Sequence, residues 1–390
     1  MSAAATPDQF GDRSDPSERS GPSFEQSPGS DPTGCSIPID ESTSVDPSAS
    51  KTPARRGWFF RKPLFRWGED PGFRESVLWF YAFGLIHQLS AILVGLGLAA
   101  IFFFIHGQRV DFVHALENRL FEPWLAPWLG GEQLVSLLVV LWMYHRRFLG
   151  HPAQRREFEL PNFLHGLMTF LLLLPLGIIS TWTYLQAERG WKWAAMQFPA
   201  LENIDRMLIL NAPSILGQQI SFWLMLIIFA VIPAVGEELV FRGVIGRGLT
   251  RRIGVLPGVL LTSLMFGVLH GHPLHAAAVI PLGIALHALY LSTGSLITPM
   301  LLHFLNNATA LLTLTSGSSF DQVLDQQRSL LDSPSIVCAS ALLVGCLLWG
   351  LYQTRQLAQV RQRMTPVCLG SLIVGLISFA SLYCRQLFAN

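Results

Sequence analysis

The chain has 390 residues, of which 51% are hydrophobic and 14% charged, and its formal net charge is +1. This composition suits a polytopic helical membrane protein, because apolar stretches of about 20 residues span a bilayer. The near-neutral charge argues against a nucleic-acid partner. The cysteines form no C-x-x-C pair, which argues against a zinc ribbon or a disulfide framework. They are Cys35, Cys338, Cys346, Cys368 and Cys384.

The beginning of the chain differs in composition from the rest. Residues 1–56 are rich in Ser, Pro, Asp, Gly and Thr and have almost no aliphatic runs. Such a segment cannot bury a hydrophobic core, so we expect a disordered polar tail. Basic and aromatic residues then alternate between Arg55 and Trp67. This pattern predicts an interfacial anchor on the cytoplasmic side of a membrane.

Nine apolar runs follow the tail, and each is predicted to be a transmembrane helix. The predicted fold class is therefore all-α, a polytopic transmembrane bundle of about eight to nine spans behind a disordered tail. The first and fourth runs are long enough to tilt or to extend past the bilayer. The runs cover residues 76–106, 132–149, 162–185, 214–246, 256–271, 274–292, 295–314, 335–353 and 365–386.

The basic residues between the spans predict the orientation of the chain. They cluster after the second span, after the fourth span and between the last two. The positive-inside rule places these loops, and with them the N-terminus, in the cytoplasm. We expect a multi-pass protein of a bacterial plasma (inner) membrane. Beyond the tail, we predict three regions: 57–213 with the anchor and three helices, 214–315 as a central core, and 316–390 with a loop and the last helices.

Ionisable residues concentrate between positions 237 and 307, so the remaining spans are expected to be scaffold. Glu237, Glu238 and Arg242 stand at the end of a long apolar run, where each charge costs about 2.5–3.5 kcal/mol on insertion scales. Glu238 and Arg242 are four residues apart, so they share one helix face and are expected to pair. Glu237 lies about 100° round the helix and is predicted to face a cavity. A structural ion-pair cluster at the membrane edge is the alternative interpretation.

Two further polar segments follow in this region. His270 ends the fifth apolar run, and His303 and Asn307 share one face of the seventh. His270 alone is equally compatible with a helix cap, and His303 with Asn307 is equally compatible with an interhelical hydrogen-bond pair. Of the neighbouring histidines, His275 and His287 are expected to be structural, and the segment His270-Gly-His272-Pro273 has the pattern of a broken helix.

A hairpin between the fourth and fifth spans brings these segments to similar depth. Its turn is near Gly254, with Glu237 17 residues before it and His270 16 residues after it. A carboxylate, two imidazoles and an amide are therefore expected to converge in a buried pocket. This set suits the activation of a water molecule, with Glu as general base, His as acid or metal ligand, and Asn with a His as oxyanion donors.

Taken in order, these segments resemble the CPBP family of intramembrane proteases. That family includes CaaX prenyl endopeptidases of the Rce1 type, and bacterial members linked to bacteriocin self-immunity and processing. The resemblance covers about residues 215–315. It rests on the motifs Glu237-Glu238-x-x-x-Arg242, Phe266-x-x-x-His270 and His303-x-x-x-Asn307.

The resemblance implies an intramembrane endopeptidase that cuts membrane-associated, lipidated or leader-type peptide substrates. Glu237 would act as the general base on a water molecule, and His270 would hold that water or a metal ion. His303 and Asn307 would form the oxyanion site.

The resemblance also implies supporting residues and leaves the metal open. Glu238 and Arg242 would orient Glu237 and its helix. Members of the family are usually labelled metalloproteases, and a tetrahedral zinc site needs three protein ligands and a water. Glu237, His270 and His303 would be those ligands if a zinc ion is bound. Because a ligating Glu237 would be a poorer base, we favour the role of base.

Two other functional classes compete with the protease. One is a non-catalytic membrane protein for immunity or binding on the same fold, and the other is a proton-coupled transporter in which Glu237 and the histidines relay protons. A transporter should have broken helices in matching halves, and the sequence shows no such pairing. Other intramembrane proteases are disfavoured because the chain has no His-Glu-x-x-His, Gly-x-Gly-Asp or Gly-x-Ser-x-Gly motif.

Overall fold

A computed structural model describes most of the chain from residue 69 onwards, and all described residues belong to one compact unit, residues 62–390. The predicted disordered tail and the anchor after it lie outside the described residues. The described ranges are 69–106, 124–148, 157–201, 220–315, 333–354 and 364–388, with short pieces at 328, 331, 356–357 and 360–361.

Nine helices form the part of the chain that the structure describes, which confirms the all-α fold class. A pair of two-residue antiparallel strands, Gln356–Leu357 (β1) and Val360–Arg361 (β2), lies between the last two helices. The helices are α1 Phe73–His106, α2 Leu125–Phe148, α3 Phe163–Gln197, α4 Phe222–Ile253, α5 Val255–Val268, α6 Pro273–Thr293, α7 Ile297–Thr315, α8 Pro334–Gln353 and α9 Pro366–Phe388.

Eight helices in the described ranges are long and apolar enough to cross a membrane, so the protein is an integral membrane protein with multiple spans. The exception is α5, which has 14 residues. At 1.5 Å per residue it is about 21 Å long, whereas the hydrocarbon core of a bilayer is about 30 Å thick. The predicted span 256–271 is thus too long, because the helix ends at Val268.

The early end of α5 has a local cause in the turn that follows it. Gly271 has a φ of 74°, a left-handed conformation that stops a helix. Pro273 then begins α6, where its missing N–H costs nothing. The side chain of His272 caps α6 by accepting a hydrogen bond from the backbone N–H of Leu274 at 3.2 Å. The chain therefore reverses direction within four residues after α5.

Helix α4 changes its winding twice. Two π-helical segments, Ile227–Val231 and Phe241–Gly246, flank a central α-helical segment, Ile232–Val240. Pro233 stands at the start of the central segment, where it removes a backbone donor and its ring crowds the carbonyl four residues earlier. The wider π turn just before it relieves that crowding. Both glutamates of the first motif lie in the central segment.

One end of the bundle is tied together by polar contacts between helix ends. Glu75 near the start of α1 pairs with Arg147 near the end of α2, with Nε of the arginine 2.5 Å from the carboxylate. Arg247 in the last segment of α4 donates a hydrogen bond to Tyr290 near the end of α6 at 2.8 Å, and it also pairs with Glu157 just before α3. The starts of α1 and α3 therefore lie at the same end as the ends of α2, α4 and α6.

The core falls into two clusters of buried apolar side chains. One cluster joins α1, α2, α4 and α5 and contains Phe241 and Phe266. The other joins α3, α6, α8 and α9 and contains Leu286 and Leu343. Helix α7 contributes Met300 to the first cluster and Leu302 to the second, so its next residue, His303, is positioned between them.

Candidate active site

A fully buried ion pair forms the centre of the site. Arg242 Nη1 donates a hydrogen bond of 2.7 Å to Glu238 Oε1, and neither side chain has any exposed surface. The predicted i,i+4 pair is thus present. His303 joins it from α7, because its Nδ1 lies 2.8 Å from the same carboxylate oxygen. An ionised carboxylate can only accept, so Nδ1 of His303 carries the hydrogen of this bond.

The guanidinium of Arg242 is held on two further sides. Its Nη2 donates a hydrogen bond of 3.1 Å to the backbone carbonyl of Gly283 in α6. Its central carbon lies 4.7 Å from the centre of the Phe266 ring, within the range of a cation–π interaction. The ring centre of Phe266 is also 5.8 Å from that of His303 and 5.0 Å from that of His270. Phe266 therefore connects all three charged or titratable groups.

Glu237 differs from its neighbour in both contacts and exposure. Its side chain is 21% exposed, and Oε2 lies 3.9 Å from Nε2 of His303, too far for a direct hydrogen bond. In the described part of the chain this buried oxygen has no hydrogen-bond partner. Glu237 also lines a cavity of about 10 Å³ against α1 and α2, which is about the room that one water molecule needs.

The remaining two residues of the predicted set, His270 and Asn307, have other hydrogen-bond partners in the described part of the chain. His270 is exposed in the turn after α5, and its Nδ1 donates a hydrogen bond of 3.0 Å to the backbone carbonyl of Phe266. Nε2 is then the ring nitrogen that is left to bind a water or a ligand. Asn307 is one turn beyond His303 on α7 and accepts a 3.4 Å hydrogen bond from Asn306.

The arrangement of these side chains does not fit a zinc site with three protein ligands. Among the described residues, no group of three or more His, Cys, Asp or Glu side chains has the spacing to hold a metal ion. Of the three residues expected as ligands, Glu237 and His303 approach each other, and His270 is linked to them through the Phe266 ring.

The other histidines of this region have packing positions. His287 is fully buried beside Gly246, where any larger residue would collide with its ring. Its ring nitrogens have no hydrogen-bond partner within the described residues. His272 and His275 pack against each other with ring centres 5.5 Å apart, near Trp191 and Tyr184 of α3.

Polar residues of α1 and α2 complete the surroundings of the cavity, and sequence reasoning missed them. His87 Nδ1 lies 2.6 Å from Oε1 of Glu132, and the hydroxyl of Ser136 donates to the same oxygen at 3.1 Å. His87 and Ser136 line the cavity that Glu237 lines from the other side. The first two helices are therefore more than an apolar scaffold. The glutamate at the start of the second apolar run, Glu132, was the available signal.

Comparison with known protein families identifies the central segment. Residues 219–309 match the family model described as Type II CAAX prenyl endopeptidase Rce1-like. No curated protein and no solved structure was found to match the chain. The matched segment is roughly a quarter of the chain and contains all seven residues that the motifs single out, from Glu237 to Asn307. Residues 219–309 therefore carry the sequence of an Rce1-like domain, which confirms the family resemblance that the three motifs predicted.

Proposed function

We propose that this protein is an intramembrane endopeptidase that hydrolyses peptide bonds of membrane-associated, lipidated or leader-type substrates with a water activated by Glu237. One observation carries the proposal above the others. The Oε2 atom of Glu237 is buried without a hydrogen-bond partner in the described residues, and Glu237 lines a cavity of the size of one water. The match of residues 219–309 to a family of endopeptidases supports the same reaction.

The surroundings of Glu237 favour a catalyst over a structural ion-pair cluster. The guanidinium of Arg242 is already engaged by Glu238, by a backbone carbonyl and by an aromatic ring. No cation in the described residues lies within hydrogen-bond distance of Glu237, and Nε2 of His303 is 3.9 Å from its Oε2. A carboxylate kept apart from the ion pair costs stability and is a candidate for chemistry.

The proposed reaction needs only water and the peptide. Glu237 accepts a proton from the water, and the water oxygen attacks the scissile carbonyl carbon. A tetrahedral oxyanion forms. The carbonyl then re-forms as the C–N bond breaks, and the proton held by Glu237 passes to the leaving nitrogen. The products are one new carboxyl terminus and one new amino terminus. In this scheme His270, with a free Nε2, orients the attacking water from the rim of the site.

His303 and Asn307 are proposed to stabilise the oxyanion. The Nδ1–H of His303 is bound to Glu238, and its Nε2 lies on the side of Glu237. When Nε2 also carries a hydrogen, it can donate to a developing oxyanion. The side-chain amide of Asn307, one turn further along the same helix, supplies a second donor.

The function is tested in the cell that makes the protein. The termini of membrane and secreted peptides are compared by mass spectrometry between the wild type and a Glu237→Gln variant produced at the same level. We expect one or a few new termini that are present in the wild type and lost in the variant. Identical sets of termini, with folded variant in the membrane, would leave a binding or transport function instead. Peptides with and without a prenyl group at the cut end decide between lipidated and unmodified substrates.

A further inference from the structure

We propose that His87 of α1 is a further residue of the catalytic site, which holds the water opposite Glu237 and is itself positioned by Glu132. This inference rests on the proposed function and assigns a second wall to the same cavity. Both residues lie outside the segment that matches the family model, residues 219–309.

The carboxylate of Glu132 orients the ring of His87. The carboxylate of Glu132 is 9% exposed and lies in a membrane-spanning helix, where an ionisable group is costly unless it is paired or used. Its Oε1 is 2.6 Å from Nδ1 of His87 and accepts a second hydrogen bond from Ser136. Because the carboxylate accepts the Nδ1 hydrogen, Nε2 is the ring nitrogen left to bind what enters the cavity.

The cavity links this pair to the proposed base. Its walls include His87 from α1, Ser136 from α2 and Glu237 from α4. The ring of Phe83 packs edge-on against His87 with centres 4.6 Å apart and against Phe241 of α4 with centres 6.0 Å apart. These contacts keep the His87 ring in a fixed position against the helix that carries the glutamates. A single water in this space would have the carboxylate on one side and the imidazole on the other.

A purely structural role would look different. The Glu75–Arg147 pair joins the same two helices, but it is buried at the polar end of the bundle and lines no part of this cavity. His87 instead remains 27% exposed, and it faces the space next to the proposed base. The hydrogen bond between Nδ1 of His87 and Glu132 is enough to join α1 to α2. It does not require the ring to line the cavity, so we assign the ring a role there.

The first test is kinetic and uses the purified full chain in lipid nanodiscs. The probe is a quenched fluorescent, farnesylated peptide that ends in Cys-aliphatic-aliphatic-X, together with its unprenylated counterpart. We expect His87→Ala to lower kcat by about 10², the scale of losing one donor to a reacting group, with KM within about twofold. His87→Gln, which keeps a polar group at this place, should recover part of kcat, and Glu132→Gln should lower kcat by about tenfold.

Two comparisons separate this inference from folding and from the proposed function. Glu75→Gln, the matched control on α1, should lower the thermal unfolding midpoint and leave kcat per folded molecule unchanged. Glu237→Gln is assayed beside it. If Glu237→Gln is inactive but a folded His87→Ala variant keeps the wild-type kcat, the role of His87 is wrong and the proposed function stands. Full activity of Glu237→Gln overturns both.

A second measurement needs no substrate. The ring nitrogens of His87 are followed by ¹⁵N magnetic resonance in histidine-labelled protein, with His87→Gln used to assign the signal. If His87 and Glu237 share one water, Glu237→Gln should shift the Nε2 resonance of His87, and Glu132→Gln should shift that of Nδ1. Glu75→Gln should shift neither resonance. If the Nε2 resonance of His87 has the same chemical shift in the Glu237→Gln variant as in the wild type, the proposal is overturned, even if no probe peptide is cut.

Discussion

The adjacent residues Glu237 and Glu238 have different roles because their surroundings differ. Glu238 has no exposed surface, and its Oε1 receives hydrogen bonds from Arg242 and His303. Glu237, one position earlier, points about 100° away and reaches a cavity instead of a cation. Substitutions at the two positions should therefore have different consequences. Changes at Glu238 or Arg242 act on stability, and changes at Glu237 act on the reaction.

Removal of Arg242 should destabilise the protein strongly. Arg242→Ala leaves Glu238 buried and without its cation, and breaking a buried pair costs about 3–5 kcal/mol. The cation–π contact with Phe266 is lost as well. We expect a clear fall in the thermal unfolding midpoint, measured in detergent by tryptophan fluorescence, and a smaller yield of folded protein.

The matched control for this prediction is on the same helix. Arg252→Ala removes an exposed arginine from the last turn of α4, and exposed charges contribute about 0–1 kcal/mol. Its unfolding midpoint should stay close to that of the wild type. Equal midpoints for the Arg242 and Arg252 variants would contradict the stabilising role of the buried pair.

Metal removal should have little effect on activity. The side chains of Glu237, His270 and His303 do not form a three-ligand cluster, and the proposed proton transfers use only the carboxylate and water. After exhaustive treatment with a chelator, with residual metal determined by elemental analysis, we expect the cleavage rate to stay within about twofold of the untreated protein. A reversible loss, restored by about one equivalent of zinc, would instead make His270 and His303 metal ligands.

At the scale of elements, the membrane-spanning helices could be predicted from the long apolar runs, because a single physical requirement determines their length and composition. A helix that crosses lipid must be apolar over about 20 residues, so six of the nine predicted spans agree with the helices of the structure to within three residues at each end. Three predicted bounds were wrong: α2 begins seven residues before the predicted 132–149, α3 ends 12 residues after the predicted 162–185, and α4 ends seven residues after the predicted 214–246. The two π segments of α4 could not be predicted, since a change of winding depends on how neighbouring helices pack. Pro233 marked one of them in sequence, but glycines such as Gly243 and Gly246 suit many conformations.

Close packing of α5 on α6 positions the Phe266 ring. A Cβ added at Gly267 would meet the backbone carbonyl oxygen of Ala276 at 2.8 Å, so Gly267→Ala should push the two helices apart. Overpacking of this kind costs about 1–3 kcal/mol. We expect a lower unfolding midpoint together with a lower kcat, because Phe266 contacts Arg242, His270 and His303.

Gly177 offers a control for the same substitution. It lies inside α3, and a Cβ added there would meet no atom within 4 Å. Gly177→Ala should be neutral or stabilising by up to about 1 kcal/mol, because alanine is the better helix former. If both alanine variants had the same midpoint and the same kcat, the packing at Gly267 would not control the site.

The site as a whole was only partly predictable from sequence. The Glu238–Arg242 pair could be predicted because a spacing of four puts both residues on one helix face. The contact of His303 with Glu238 spans 65 positions and that of His87 with Glu132 spans 45. Such contacts depend on how each helix is rotated in the bundle, which no spacing rule specifies. The motifs therefore indicated Glu238 and His303, and only the structure indicates His87.

At the scale of the whole molecule, the polar contacts put several helix ends on one side. These ends carry Arg147, Arg247 and Arg251, and their partners include Glu75 and Asp70. The positive-inside rule counts basic residues rather than net charge, so this side is proposed to be cytoplasmic. The turn between α4 and α5 would then face the cytoplasm, and a substrate would approach from the cytoplasm or sideways from the lipid.

Cysteine labelling tests this orientation. Arg252→Cys is placed in a cysteine-free background, at an exposed position next to the α4–α5 turn. We expect this cysteine to resist a membrane-impermeant maleimide in intact cells and to react after the cells are permeabilised. Labelling in intact cells would invert the topology and the side from which substrates come.

The central claim is that Glu237 activates water for the cleavage of a peptide bond, and isotope-labelled hydrolysis tests it most directly. The purified protein cuts its peptide in H₂¹⁸O, and the products are weighed by mass spectrometry. We predict one ¹⁸O atom in the new carboxyl terminus for the wild type. We predict a rate about 10²–10⁴ lower for folded Glu237→Gln, the scale of losing a general base. Cleavage by the folded variant at the wild-type rate would contradict the account.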